Sequence, residues 1–580
     1  MATGNRTHIE EELARIGDAV GTLAQERAGY GTITALCVSM IDGTKAGYEK
    51  AMRTWFNCKL PRVWDASDLT ALVEEWYDIT RVQWDGGTEF WQDDVSAVST
   101  GTKYGDNAGL ACTPSTDTVA NVDDYAGHPC FAVKDCNWII DQNTKDVLIT
   151  AIDGITDNFE RSNPAKLVGV LQMNMYAYEE DTGKSFRRGL TSTKKNYANI
   201  SAPFGVKYSD NTFRSFTILG KFMMGLVNGK PTCCAGVAPS ARDVSHNTEH
   251  TTAALLGSGY SCGTVADLTF LKFMANIKYG SLTLDGILQG CCSHNYYNTV
   301  ALAEQGVRRV LIGANNNSYP VGSRILIGQC GTGGAGDRYP STAYSISGSD
   351  GRKVTHVEQV TIDSTAYTAL YVDGEPFDTV VDNETTSNTT YVRSWHWTAG
   401  DCDGVLGNDG SPVSCTSGKY PAKLQGIEFM VGGYEVLADV ILKLYQGTED
   451  TSKYYYEPYV CKDATKYSTG ITADYEATGI VTEQPATDNW YYIVKEGYSP
   501  LGVLFPTKYT GGSSSTYTRD QVYLNAKAVG TREWLAFGNL TGGSSIAGLS
   551  CLDGYGGLSL ASWHLLGRLS PNGCRGVLAA

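Results

Sequence analysis

The chain has 580 residues, enough for about four folding units at roughly 150 residues each. Lys and Arg number 46 against 62 Asp and Glu, a formal charge of −16, and this acidic balance argues against nucleic acid or an anionic membrane as the main partner, because both need a basic footprint. The composition is globular, 42% hydrophobic and 19% charged, while 65 Gly and 35 Tyr indicate turn-rich β structure with amphipathic aromatic surfaces of the kind used in recognition.

The chain opens on Thr7-His8-Ile9-Glu10, the spacing of a capping box. Ile9, Leu13, Ile16, Val20 and Leu23 then recur at alternating steps of four and three, an a/d seam with Ile9, Ile16 and Leu23 at d and Leu13 and Val20 at a. Leu at a with Ile at d shifts preference from dimers toward trimers or tetramers, and Gly29 and Gly31 are expected to stop the helix. So short a seam does not hold chains together alone. The helix either lies on its own domain or forms an oligomerising stalk over 1–30; the missing third apolar face favours the stalk and a homotrimer. Its charged start is no apolar signal core, so synthesis in a cytoplasm without export by the usual route is expected. No apolar run approaches the roughly 18 residues of a membrane span.

A mixed helical and β region is expected over 31–307. Residues 45–82 read as helical, with Leu69, Leu72, Val73 and Trp76 on one face after an Asp65-Ala66-Ser67 start. Residues 83–135 read as loops and short strands, and 200–225 alternate as strands. Val265, Leu268, Leu271 and Met274 predict a helix over 264–278, and another is expected at about 297–306. Short β segments follow, so 308–385 reads as a small β domain, with Asn383–Thr390 as a polar linker.

Several chemical motifs fail on context. Gly259-Tyr260-Ser261-Cys262-Gly263 has the letters of a nucleophile elbow, but no convincing strand precedes it and no distinctive His follows, so it reads as a tight turn. Asp181-Thr182-Gly183-Lys184-Ser185 echoes a P-loop, but Tyr178 stands where the first Gly belongs, and it too reads as a turn. Asp401-Cys402-Asp403-Gly404 with Asp409 lacks the spacing of a calcium loop and reads as an acidic solvated turn. In His246-Asn247-Thr248-Glu249-His250, Asn247 replaces the Glu that a zincin needs after its first His, and the stretch reads as a surface loop. There is no C-x-x-C among the 16 Cys, which read mainly as buried thiols. No catalytic residue, metal ligand or cofactor is expected.

The last fifty residues carry the most information. Arg532-Glu533-Trp534-Leu535-Ala536-Phe537-Gly538-Asn539-Leu540 is followed by a Gly/Ser loop, Ala547-Gly548-Leu549-Ser550, and Ser562-Trp563-His564-Leu565-Leu566-Gly567-Arg568-Leu569-Ser570. Strands are expected at Trp534–Phe537, at Ala547–Leu552 and at the end, with Trp534, Phe537, Leu549 and Trp563 as core anchors. Fixed aromatic and Gly positions alternate with chemically arbitrary ones.

This pattern resembles the variable region of the target proteins of diversity-generating retroelements, which include a phage major tropism determinant. The match is specific over 532–570 and looser over 391–531. The resemblance implies a C-type lectin-like domain over 391–580; joined to the N-terminal coiled-coil helix, the mixed α/β middle expected to serve virion attachment, and the small β domain read from the residues, it makes an α+β, β-rich multidomain chain. It implies a frame of Trp534, Gly548, Trp563, Gly567 and Arg568. It implies diversified, ligand-binding positions at Ser544, Ser545, Asp553, Tyr555, Gly556, Ser559, Leu560, Ser562 and His564. Glu457-Pro458-Tyr459 and Gln484-Pro485-Ala486 lack the third residue of the calcium-dependent sugar motifs, which argues against calcium-dependent sugar binding. The function implied is a non-enzymatic phage tail-fibre or tail-tip protein on the virion, made in the bacterial cytoplasm. Its partners would be a protein or glycan receptor on the host cell and other virion tail proteins, without nucleic acid or membrane insertion. The alternatives are a bacterial surface adhesin diversified by a retroelement and an enzyme on a formylglycine-generating-like fold.

Overall fold

Hydrophobic residues from nearly the whole chain, Cys37 to Leu569, meet in one core, while the sheet between Tyr297 and Ser394 has a core of its own around Val310, Ile325, Leu370 and Val392. The computed structural model describes residues 30–116, 119–201, 207, 212–240, 244–291, 294–330, 345–384, 388–403, 418–511, 518–540 and 548–573. With 36% strand against 14% helix, the chain is β-rich α+β. The heptad seam over 7–29 lies outside the described residues.

The helices are α1 (Tyr30–Ser39), α2 (Lys45–Lys59), α3 (Ala66–Ile79), α4 (His246–Ala253) and α5 (Val265–Tyr279). Gly31 does not stop a helix but lies inside α1; a helical Gly costs only about 1 kcal/mol. The helical expectation over 45–82 divides in two. Pro61 restricts the residue before it, and Leu60 is extended at φ −69°, ψ 122°. The second half restarts at a capping box between Asp65 and Asp68 and buries Leu69, Val73, Trp76 and Tyr77.

Helix α5 begins at a Thr264/Asp267 capping box and ends at left-handed Gly280. It is buried on every side from Val265 to Lys278, because two sheets close around it. On one side lies a five-stranded sheet in the order Asn199–Ser201, Tyr176–Asp181, Ser185–Thr191, Asp85–Trp91, Thr102–Gly105; the Asp181–Ser185 motif is the turn of its central hairpin. On the other lies a seven-stranded sheet in the order Val503–Thr510, Asn489–Ser499, Gln521–Leu524, Leu552–Asp553, Leu535–Ala536, Tyr434–Val436, Leu565–Leu566. Polar residues of α5 are paired with both sheets and beyond: Asn276 accepts from Arg188 of the first at 3.1 Å, Lys272 pairs with Glu496 of the second, Lys278 with Asp123 at 2.7 Å, and Asp267 with Asn572 at 2.7 Å.

The structure departs from the sequence expectations at four further places. No helix forms at 297–306. Tyr297–Thr299 instead joins Thr390–Ser394 as an edge strand, with Val300 and Ala301 donating to Thr390 and Leu311, so sheet pairing overrides the local helical pattern. That six-stranded sheet therefore extends beyond 308–385 on both sides. The stretch His246–His250 is no surface loop: it is the first part of α4, capped by Ser245 with Thr248, and His246 is fully buried. The turn at Asp401–Asp403 is only partly solvated and is tied down by ion pairs, while Gly404 and Asp409 lie outside the described residues. Cys402 is buried, Asp403 is bridged by Arg161 and Lys423, and Asp401 pairs with Lys353 at 2.8 Å.

Candidate functional site

Arg568 anchors the C-terminal region. Only 3% of its side chain is exposed. Nε donates to both carboxylate oxygens of Glu435 (3.0 and 3.1 Å), Nη1 to the Gly220 carbonyl (2.8 Å) and Nη2 to the Glu428 carbonyl (2.9 Å). One guanidinium thus ties the last strands to three upstream segments, and its planar array of donors is the reason Arg can do so. Beside it, Gly567 leaves no room for a side chain, since a Cβ there would sit 2.7 Å from Glu249 Oε1. Gly548 is packed against the carboxyl of Asp520, which accepts from the Ser550 amide at 2.7 Å and is pushed up to about 7 by burial. Trp534 is buried with its ring edge-on to Phe505. Trp563 is half-buried, stacked on Trp395 at 5.5 Å, with the Arg393 guanidinium 4.6 Å from its ring centroid.

Between these fixed points runs the segment from Asp553 to His564. Its first residue sits on the Leu552–Asp553 strand, held between Leu535–Ala536 and Gln521–Leu524. Asp553 is half-buried, accepts from the Tyr555 amide at 2.8 Å and is raised to about 6 by burial. Tyr555 is 55% exposed and stands edge-on to Tyr523, which in turn stands edge-on to Trp490. Ser559 and Leu560 are exposed. Ser562 and His564 are half-buried and share a hydrogen bond of 3.1 Å, and burial lowers His564 to about 4. Gly556 differs from these: it is buried, and a Cβ would approach Glu533 Oε1 at 2.5 Å. Ser544 and Ser545 lie outside the described residues.

The segment rests on a support that the sequence did not reveal. The first amides of α4 lack partners within the helix, as at any helix start. The His246 amide donates to Glu533 Oε2 at 3.2 Å, and the Asn247 amide to the Leu558 carbonyl at 2.9 Å. Glu533 in turn donates its own amide to the Gly556 carbonyl at 3.0 Å. Burial pushes the Glu533 carboxyl up to about 8 and the His246 imidazole down to about 4. The capping pair Ser245/Thr248 is the sequence signal for α4.

The other motifs hold no comparable surface. Ser261 is buried in a two-residue strand paired with Leu569–Ser570 and donates to the Cys262 carbonyl at 2.9 Å. Cys402, Asp403 and Glu428 offer ligand atoms within 4.8 Å of one another. Yet the Cys402 thiol donates to Glu428 at 2.9 Å, and Asp403 is engaged by Arg161 and Lys423, so these atoms are already committed to protons and cations. No family model matches the chain, and no curated protein matches it. Among the described residues, an aromatic row, Trp490–Tyr523–Tyr555, borders the loop that carries exposed Ser559 and Leu560. Such a surface combines large apolar contact with few rotatable bonds and hydroxyls for hydrogen bonding.

Proposed function

We propose that this chain is a receptor-binding protein of a phage tail fibre or tail tip, whose lectin-like C-terminal region presents an exchangeable surface to a molecule on a bacterial cell. The supporting observation is the alternation along 548–568: Tyr555, Ser559 and Leu560 face solvent while Gly548, Leu552, Leu558, Gly567 and Arg568 are buried. A backbone fixed by buried hydrogen bonds lets exposed side chains change without unfolding the frame. Surface substitutions of this kind typically cost within about 0.5 kcal/mol. Binding is the mechanism, not catalysis. Three chains on one particle would engage several receptors together, raising avidity by about 10²–10⁴ over one contact where the geometry allows.

The flanking DNA tests this reading. A near-copy of the codons for 532–570, differing only at adenines and lying beside a reverse-transcriptase gene, is expected. A locus without such a copy would sink the reading.

A further inference from the structure

A cavity of about 270 Å³, with no residue of the 553–564 segment in its lining, lies between the hairpin Tyr176–Asp181/Ser185–Thr191 and the hairpin Asn489–Ser499/Val503–Thr510. Its polar wall is a buried ion-pair network. The Arg188 side chain is 3% exposed; Nε donates to Glu179 Oε2 at 2.8 Å, and Nη1 donates to Asn276 Oδ1 at 3.1 Å and Glu496 Oε2 at 3.2 Å. The guanidinium is held between the rings of Phe186 and Phe273, 5.4 and 5.8 Å from their centroids. Two arms of the Arg188–Glu179 pair are left over. Arg188 Nη2 and Glu179 Oε1 have no hydrogen-bond partner among the described residues, and neither is sealed from solvent. Both residues line the cavity.

A guanidinium nitrogen can only donate and a carboxylate oxygen can only accept. An occupant that satisfies both must offer an acceptor beside a donor, which adjacent hydroxyls do: one accepts from Nη2 while its neighbour donates to Oε1. Charge narrows the class further. Four acids line the cavity, Asp93, Glu179, Asp181 and Glu496, along with Arg188 and Lys495; Lys272 and Lys508 pair with Glu496 and Asp93, making four cations against four acids. An ion entering this balanced site would lose its hydration without a net counter-charge, at a cost of several kcal/mol. Phe186, Leu282 and Ile493 form an apolar wall suited to ring C–H groups. The volume lies just under the usual range of ligand sites, sufficient for one sugar ring and not for a chain.

We propose that this cavity binds a single neutral pyranose ring, with a vicinal diol bridging Arg188 and Glu179. It stands apart from the proposed variable surface and does not depend on it. Saturation-transfer NMR on the full chain, with the methyl glycosides of glucose, galactose and mannose and with benzamide as a planar donor–acceptor control, tests the assignment. Transfer to the ring protons of at least one glycoside is expected, with millimolar affinity. Glu179→Gln, which removes one acceptor while keeping the shape, should weaken it at least tenfold. Asn199→Trp, at an exposed position on the rim, should abolish it without touching the ion pairs, and Tyr555→Ala should leave it unchanged. The proposal is overturned by no transfer to any glycoside, by transfer to benzamide alone, by transfer that survives both cavity variants, or by transfer lost in Tyr555→Ala.

Discussion

Neighbouring residues in the C-terminal loop differ sharply in what they can tolerate. Tyr555 projects into solvent, so Tyr555→Ala should change stability by less than about 0.5 kcal/mol while altering recognition of the host cell. Gly556, one residue on, has the Glu533 carboxyl against it, and Gly556→Ala should cost about 1–3 kcal/mol through overpacking. Paired denaturant melts of the two variants check the contrast; equal losses would mean that Tyr555 is part of the core. Glu533 itself gives a pH signature. Its carboxyl lies among the His246 amide and Asp553, with His250 and Glu249 on the same short helix. Its pKa is raised from about 4.5 when unfolded to about 8 when folded, so the folded state holds the proton more tightly. The contribution of Glu533 is full below pH 4.5 and declines as the pH climbs through 8. Glu533→Gln should therefore stabilise the protein by about 1–3 kcal/mol at pH 9 and change little at pH 5. Thermal melts at the two pH values measure this, and an identical shift at both would rule out titration as the cause. His246 and His564, lowered to about 4, act in the opposite sense, removing stability as pH falls from 6.5 toward 4.

At the scale of elements, α4 shows how a short helix can matter beyond its own stability. Its capping residue, Ser245, accepts from the Thr248 amide, and the amides just inside the cap hold Glu533 and Leu558. Ser245→Ala should cost about 1 kcal/mol and loosen 555–560. Hydrogen exchange should report faster exchange there than in α5; unchanged protection in 555–560 would separate the helix from the loop. The sequence reading of elements succeeded where local chemistry decides. The Asp65 start of α3 and the Thr264–Gly280 bounds of α5 follow from caps and a left-handed Gly. It failed at 297–306, where the hydrogen bonds to Thr390 and Leu311 come from residues distant in the chain.

For the whole molecule, the seam of Ile9, Leu13, Ile16, Val20 and Leu23 and the proposed multivalent attachment both call for a trimer. Light scattering at micromolar concentration should give three times the chain mass, and a monomer would remove the avidity argument. Deleting residues 1–29 should weaken the trimer, shifting the scattering mass downward at the same concentration.

Composition and pattern alone determined that the chain is β-rich and acidic, that 45–82 is helical and where α5 lies, while the C-terminal frame candidates came from the family resemblance. Those properties come from caps, turns and periodicity, which act over a few residues. Only the tertiary structure decided that α5 is enclosed on all sides, that Gly556 is packed while Tyr555 is free, that His246 is buried beneath the loop, and that Arg188 and Glu179 border a cavity. Each depends on partners tens to hundreds of positions away, and neither sequence spacing nor residue type encodes which distant groups will share one desolvated space.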